Sequence, residues 1–304
     1  MIKVPVIGGA GNVGRGIVLA LKKAGFDPLV IDPQINSSFE SLSFSKMKKI
    51  FSKTNNVIYT AERGSREEYE KDSRLALKNN QRFNNFCRQV AKLNEEIVVW
   101  YIGGSWTKRK PDKSWLVTDF SPNKPMSQAN AYEKAKIMAE KNARKLSQEI
   151  KIRFLDWISI VPNLSENFTI FRMTRQALIE GIIKYSPGNY GRPLLSSVQA
   201  GEALILLMES DDRKINFKKY LIPGIFIRFE EFAKAVKTEV EKETKRKIVL
   251  ETIPKTPDFL KSQTLSYHLQ SLGFQPQKKE IISALGENAR DSLTKILKGA
   301  SSCQ

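Results

Sequence analysis

The chain has 304 residues, 41% of them hydrophobic, which is enough for one large α/β domain or for a dinucleotide-binding domain with a smaller companion. No leader precedes the first predicted strand and no apolar run approaches the roughly 20 residues of a membrane span, so we expect a cytoplasmic protein without membrane contact. The two cysteines and the single histidine lack metal-ligand spacing, so we expect neither a disulfide framework nor a metal site, and interpret Cys87 as a buried helix residue.

The net charge of +18 allows three interpretations: nucleic-acid binding, attraction to an anionic membrane surface, or a lysine-rich solvated surface. The lysines are scattered through the predicted helices, and the densest clusters, at residues 108–110 and 242–247, are short. This pattern favours a solvated surface, whose positive field would also steer an anionic small-molecule substrate toward its site. Nucleic-acid binding stays open as the less favoured alternative.

Residues 2–32 predict one βαβ unit. An apolar strand enters a turn in which Gly8, Gly11 and Gly14 have the spacing GxxGxxG, a helix follows to about residue 25, and a second apolar strand ends in Asp32. Such glycines let a backbone approach a pyrophosphate at a helix N-terminus, and an acid after the second strand can accept ribose hydroxyls and repel a 2′-phosphate. The unit therefore favours NAD over NADP. A packing turn is the alternative, and Pro5 would remove a hydrogen-bond donor from the first strand. The residues expected to contact the cofactor here are Gly8, Gly11, Asn12, Val13, Gly14 and Asp32.

Strands and helices continue to alternate after this unit, which predicts a doubly wound parallel sheet of the Rossmann type. The predicted elements are a brief strand at 39–43, a short helix near 47–51, a strand at 56–61, a helix at 67–93, a strand at 96–102, a long helix at 127–148 and a strand at 152–161. Residues 1–162 are expected to form the dinucleotide-binding domain. Residues 163–304 are expected to form mainly a smaller α/β substrate-binding region, with a segment of about 193–222 returning to the sheet.

Tyr132 and Lys136 are four residues apart on the long predicted helix, so their side chains lie on one face. A lysine ammonium beside a phenol favours the phenolate, which suits general acid/base catalysis. Ser105 follows the most apolar strand, where its hydroxyl could hydrogen-bond to a substrate oxygen. A tyrosine and a lysine at this spacing on a lysine-rich helix are usually surface residues. Together with the glycine turn and Ser105, they form a candidate active site.

These motifs resemble the extended branch of the short-chain dehydrogenase/reductase superfamily, which includes UDP-galactose 4-epimerase and other nucleotide-sugar enzymes. Residues 8–14 are similar to its GGxGxxG motif, residues 57–61 to its fourth strand, and Asn79 to its helix asparagine. Tyr132 and Lys136 match YxxxK, and Ser105 stands where the catalytic serine is expected. The resemblance covers nearly the whole chain and implies a Rossmann-type fold.

The resemblance also implies roles for individual residues. Tyr132 would exchange a proton with a carbinol oxygen, Lys136 would bind the nicotinamide ribose, and Ser105 would polarise the substrate, while nicotinamide carries the hydride. Asn79 would support the lysine through a water, and Ala61 would contact the cofactor. Trp106 and Arg192 would bind substrate, the arginine at a nucleotide-sugar diphosphate. Two long helices, near residues 67–93 and 127–149, would pair in a homodimer.

Several positions depart from the family pattern. Ile7 replaces the usual threonine before the glycine motif, Val198 and Gln199 replace two aspartates, and the adenine-binding aspartate is missing around residues 43–45. No Asp-Glu pair follows Ser105, which argues against a 4,6-dehydratase. The sequence thus favours an NAD(P)-dependent oxidoreductase or epimerase acting at a carbinol or carbonyl carbon of an anionic substrate, with a nucleotide sugar as the leading class. The alternative is a catalytically weak relative that serves as a redox sensor or RNA-binding regulator.

Overall fold

The computed structural model describes residues 2–35, 38–62, 64, 66–72, 74–103, 116–119, 126–157, 159–162, 168–254 and 263–301. Its strands are β1 Lys3–Ile7, β2 Asp27–Ile31, β3 Asn56–Tyr59, β4 Val98–Ile102, β5 Leu116–Thr118, β6 Lys151–Trp157, β7 Ser159–Val161, β8 Ile182–Tyr185, β9 Gly191–Ser196, β10 Phe217–Ile222, β11 Ile225–Arg228, β12 Val249–Thr252 and β13 Gln263–Leu265. Its α-helices are α1 Asn12–Lys23, α2 Phe44–Phe51, α3 Arg66–Lys71, α4 Leu75–Leu93, α5 Ala131–Leu146, α6 Thr169–Glu180, α7 Ser197–Glu209, α8 Phe229–Thr244, α9 Tyr267–Ser271 and α10 Lys278–Ser301.

In the described part of the chain, six parallel strands form the central sheet in the order β10-β6-β4-β3-β1-β2. The chain leaves β1 toward one edge of the sheet to make β2, and then returns to the other side of β1 to make β3. Ligands of such folds bind at this reversal, outside the carboxyl ends of the strands. The predicted doubly wound Rossmann-type fold is therefore confirmed.

The β1 strand is continuous although it contains Pro5. Its ladder with β2 covers all five residues of the strand, from Lys3 opposite Asp27 to Ile7 opposite Ile31. Its ladder with β3 joins only Val6 and Ile7, beyond the proline. The strand accommodates Pro5 because hydrogen bonding on the β3 side begins after it.

Helices cover both faces of the sheet. On one face α1 and α7 pack closely, because a Cβ on Gly16 would lie 2.1 Å from Ser197 Oγ and one on Gly201 would lie 2.5 Å from Ala20 Cβ. The other face carries α2, α4 and α5 over buried residues that include Phe83. Residues beyond 162 thus complete the nucleotide-binding fold, with β10 as its edge strand and α7 on its surface.

The segment predicted as a brief strand at 39–43 is instead a 3₁₀ helix, Phe39–Ser41. Phe39 is buried, and its ring makes edge contacts with Phe51 and Phe86 at centroid distances of 6.2 and 4.8 Å. This packing turns the segment away from the sheet edge and leaves β2 as the outermost strand.

The helix predicted over 67–93 is divided into α3 and α4. Asp72 stands at the break, where its Oδ1 accepts the Arg74 N–H at 2.9 Å and its carbonyl accepts the Leu75 N–H at 3.1 Å. An aspartate that bonds to backbone amides two or three residues ahead competes with continuation of a helix. The break lets α3 present Tyr69 to the site described below.

A second group of strands and helices lies outside the central sheet and has its own buried core. Here β11, β9 and β7 form a small sheet, and α6, α8 and α10 share a separate buried core that includes Phe232 and Leu285. None of the helices among the described residues combines the length and apolarity needed to cross a bilayer.

Candidate active site

The glycine turn between β1 and α1 is closed by its own backbone. Gly8 has a φ of +83°, donates its N–H to Ile31 O at 2.9 Å and accepts the Gly11 N–H at 3.1 Å. A Cβ on Gly14 would lie 2.4 Å from Gly8 O, so a side chain there would break the turn. Gly11 is the N-cap of α1 and has no side chain to satisfy the first amides, those of Asn12 and Val13. The first turn of α1 contains no acidic residue, so this helix end suits an anion such as a pyrophosphate.

Asp32 fixes the side of this turn nearest β2. The residue is 5% exposed, its Oδ2 accepts the Ala10 N–H at 3.1 Å, and its Oδ1 accepts the Gln34 N–H at 2.9 Å. Each carboxylate oxygen can accept more than one hydrogen bond. A ribose diol beside the glycine turn would therefore meet an acceptor that is already held in position.

Three consecutive residues after β3 connect the glycine turn to the predicted catalytic helix. Thr60 Oγ1 lies 2.9 Å from Ile7 O and 2.8 Å from Gly8 O. Ala61 packs against the turn, since a Cβ on Gly8 would lie 2.8 Å from Ala61 Cα. Glu62 extends in the other direction, to Lys136 on α5.

The start of α5 is fixed by a capping box. Asn130 Oδ1 accepts the Glu133 N–H at 2.9 Å, and Glu133 Oε2 accepts the Asn130 N–H at 3.1 Å. Tyr132 therefore lies in the first turn and Lys136 one turn later on the same face. The Lys136 Nζ is 5.3 Å from the centre of the Tyr132 ring, and Tyr132 is half-buried.

Glu62 is the centre of a buried polar cluster that the sequence analysis did not predict. Its Oε2 accepts from Lys136 Nζ at 2.6 Å and from Tyr101 Oη at 3.2 Å, and its Oε1 accepts from Tyr69 Oη at 2.6 Å. Asn79 Nδ2 donates to the same Tyr69 oxygen at 2.8 Å. Asn79 thus reaches Lys136 through Tyr69 and Glu62. The sequence feature that could have indicated this cluster is an acidic residue, Glu62, directly after the buried strand predicted at 56–61.

Charge and burial set the protonation of this cluster. Burial alone would lower the pKa of Lys136, but its interactions with Glu62 and Tyr132 outweigh burial and raise that pKa above its usual value. Burial and the Glu62 charge also raise the pKa of Tyr69 and of Tyr101. Both phenols therefore stay protonated and donate to Glu62, while Lys136 stays an ammonium ion.

Arg192 lies on β9, in the small sheet rather than in the central one. Its guanidinium lies 6.0 Å from the centre of the Phe168 ring and 5.7 Å from that of Phe229, and burial lowers its pKa to about 10.

Ser105 and Trp106 fall outside the described residues. The described chain after β4 ends at Gly103, which donates its N–H to Leu155 O at 2.7 Å.

The model of the NAD dependent epimerase/dehydratase family matches residues 4–222. The match includes the glycine turn, the Tyr–Lys pair and Arg192, and it covers well over half of the chain. The protein therefore belongs to the NAD dependent epimerase/dehydratase family.

Solved structures share the fold at low sequence identity. The UDP-N-acetylglucosamine 4-epimerase from Methanobrevibacter ruminantium M1, in complex with UDP-N-acetylmuramic acid, is 18% identical with a TM-score of 0.70, over 97% of this chain and 99% of that one. The UDP-glucose 4-epimerase from Stenotrophomonas maltophila, with bound NAD and formylated UDP-arabinopyranose, is 12% identical with a TM-score of 0.69, over 98% and 100%. RMD from Pseudomonas aeruginosa, complexed with NADPH, is 14% identical with a TM-score of 0.71, over 96% and 100%. No curated protein matches the chain significantly.

Proposed function

We propose that this protein is an NAD-dependent epimerase or reductase of nucleotide sugars that uses Tyr132 as its general acid/base. The observation that carries the proposal is the link formed by residues 60–62, which contact the glycine turn at one end and Lys136 at the other. A turn suited to a pyrophosphate and a tyrosine–lysine pair suited to proton transfer are therefore parts of one site. Family membership and the UDP-sugar epimerases of the same fold support this choice of substrate class.

The chain offers a matching set of groups for the cofactor. The turn at Gly8, Gly11 and Gly14, with the amides of Asn12 and Val13, would hold the pyrophosphate, and Asp32 would hold the adenosine ribose. Ala61 would line the same crevice. Because the Asp32 carboxylate would repel a 2′-phosphate, we expect NAD to bind more tightly than NADP. Bound NAD would supply the hydride acceptor for a carbinol carbon and, once reduced, the hydride donor for a carbonyl carbon.

The residues of α5 would move the proton. In the oxidative direction the Tyr132 phenolate takes the proton from the sugar hydroxyl, and in the reductive direction the phenol returns it to the carbonyl oxygen. The Lys136 ammonium beside the ring would stabilise the negative charge that develops on the Tyr132 oxygen during proton transfer, and its remaining N–H groups would donate to a ribose hydroxyl. We assign Ser105 and Trp106 to the substrate side of the site, Arg192 to the sugar diphosphate, and Asn79 to support of Lys136. Lacking an Asp-Glu pair after Ser105, the chain is not expected to eliminate water from the sugar.

The test combines cofactor identification with turnover. The purified protein is heat-denatured and the released nucleotide identified, and NAD and NADP are titrated into any empty protein. UDP-glucose and UDP-N-acetylglucosamine are then offered with and without added cofactor. Tightly held NAD that is released only by denaturation indicates an epimerase, whereas an empty protein with free exchange indicates a reductase.

Two variants complete this test, one at the proposed general acid/base and one at a control position. Tyr132→Phe is expected to lower kcat by at least about 100-fold, since general acid/base groups contribute roughly 10²–10⁴-fold. Tyr267→Phe, an exposed tyrosine on α9, is expected to keep wild-type turnover. Unchanged turnover in Tyr132→Phe would contradict the proposed mechanism. RNA binding that is insensitive to NAD, without any hydride transfer, would favour the regulatory alternative.

We also propose a homodimer formed by α4 and α5. Leu77 on α4 is 53% exposed and Met138 on α5 is 39% exposed, and the two helices lie side by side, with Asn142 donating to Asn84 at 2.6 Å. Light scattering after size-exclusion chromatography should give twice the chain mass. A Leu77→Lys/Met138→Lys variant should give the mass of one chain.

A further inference from the structure

We propose that Glu62 is a positioning residue for the proposed reaction, because its carboxylate holds the Lys136 ammonium in place and supplies the counter-charge for burying it beside Tyr132. The proposal rests on the function proposed above, since Lys136 matters there as the partner of Tyr132. It assigns a role to a residue outside the glycine and YxxxK motifs.

The contact between the two groups is direct and shielded from water. The Lys136 Nζ lies 2.6 Å from Glu62 Oε2, and the side chains are 8% and 13% exposed. An ammonium that is removed from water requires a paired charge with good hydrogen bonds, and removal of one partner leaves an uncompensated buried charge. Lys136 would therefore lose its protonated state or its position without Glu62.

Glu62 is itself held from three secondary-structure elements. It follows β3, Tyr69 donates to it from α3, and Tyr101 donates to it from β4. Asn79 on α4 donates a hydrogen bond to the Tyr69 oxygen and so holds that oxygen in position. Because both phenols remain protonated, their hydrogen bonds stabilise the carboxylate and add no competing negative charge.

The titratable groups that face Lys136 determine the direction of the effect. Among the residues that the structure describes, these are Glu62 and Tyr132, with Tyr69 and Tyr101 one contact further away. Tyr59 on β3 stacks on Tyr101 at a centroid distance of 5.8 Å. The Glu62 charge raises the pKa of Lys136, the Tyr132 oxygen raises it less, and burial lowers it. Neutralising Glu62 should therefore lower the pKa of Lys136.

The test compares Glu62→Gln with Glu95→Gln, an exposed glutamate before β4 that serves as the matched control. Trace labelling with acetic anhydride at pH 7–10, followed by peptide mass spectrometry, gives the reactivity of Lys136 relative to the exposed Lys92. We expect Glu62→Gln to raise the relative reactivity at pH 9 by about tenfold, because a lower pKa leaves more of the lysine as the reactive free amine. Glu95→Gln should match the wild type, and Glu62→Asp should restore part of the protection.

Turnover supplies the second readout. With UDP-glucose or UDP-N-acetylglucosamine as substrate, Glu62→Gln should lose kcat at alkaline pH values where the wild type is still active, with KM changed less than about twofold. The reason is that a neutral Lys136 no longer stabilises the negative charge that develops on the Tyr132 oxygen during proton transfer. A structural role alone would lower kcat equally at every pH.

The outcomes separate this proposal from the proposed function. Equal labelling of Lys136 in the wild type and Glu62→Gln would overturn the role of Glu62, even if the wild type converts UDP-sugars. Protected labelling in a wild type that converts none of them would contradict the function and leave the ion pair supported. If Glu62→Gln does not fold, Glu62→Asp keeps the charge but shortens the side chain that reaches Lys136 Nζ, and it should raise the relative reactivity above that of the wild type. Wild-type labelling in that variant would overturn the proposal.

Discussion

The buried ion pair between Arg153 on β6 and Asp211 gives the sharpest test of the folded core. The side chains are 0% and 2% exposed, with Nε 2.5 Å from Oδ1 and Nη2 2.7 Å from Oδ2. The Arg153 Nη2 also donates to Asp212 O at 3.0 Å, and Tyr220 Oη lies 3.1 Å from Asp211 Oδ1. The arginine is therefore desolvated and depends on Asp211 for its counter-charge.

Asp211→Asn keeps the shape of the side chain and removes its charge. Breaking a buried pair costs about 3–5 kcal/mol because the remaining charge is uncompensated. At roughly 2.1 cal/mol/K of unfolding entropy per residue, a chain of 304 residues loses about 1.6 °C of Tm per kcal/mol, so the expected loss is roughly 5–8 °C. Arg153→Met combined with Asp211→Leu should recover much of this loss, since apolar residues of similar volume often replace a buried pair without cost.

Calorimetry or thermal unfolding followed by circular dichroism measures these changes. Asp212→Asn is the neighbouring control, because its carbonyl still accepts from Arg153 and its side-chain oxygen can still accept the Lys214 N–H. That variant should lose less than about 1 kcal/mol of unfolding free energy. A Tm for Asp211→Asn within about 2 °C of the wild type would refute the reasoning.

Three further predictions concern single positions. Gly14→Ala should reduce NAD affinity at least tenfold in calorimetric titration, because the new Cβ would lie 2.4 Å from Gly8 O; unchanged affinity would exclude this turn as the pyrophosphate site. Burial and the Lys218 charge lower the pKa of His268, the single histidine of the chain, so its ring signal should titrate below pH 6.5 in proton NMR and shift upward in Lys218→Met. Burial also raises the pKa of the Cys87 thiol, so Ellman's reagent should detect at most one of the two thiols in native protein and both after unfolding in guanidinium; two reactive native thiols would contradict the burial.

The sequence alone determined the parts of this protein that depend on local pattern. Glycine spacing, alternating strands and helices, and the i, i+4 placement of Tyr132 and Lys136 follow from backbone sterics and helix geometry, and these act over a few residues. They sufficed to predict the Rossmann-type sheet and the common face of the tyrosine and lysine on α5. The buried Cys87 also followed from the helix pattern.

Only the tertiary structure decided which groups surround Lys136. Glu62 and Lys136 are 74 residues apart in sequence, and their contact depends on β3 and α5 packing at the same end of the sheet. Tyr69 reaches Glu62 because the helix breaks at Asp72, where a side chain bonds to the backbone. The 3₁₀ turn at Phe39 likewise depends on the distant Phe86 ring. Long-range burial and charge pairing leave no periodic trace in the sequence, and for that reason the counter-ion of the predicted catalytic lysine was found only in the folded chain.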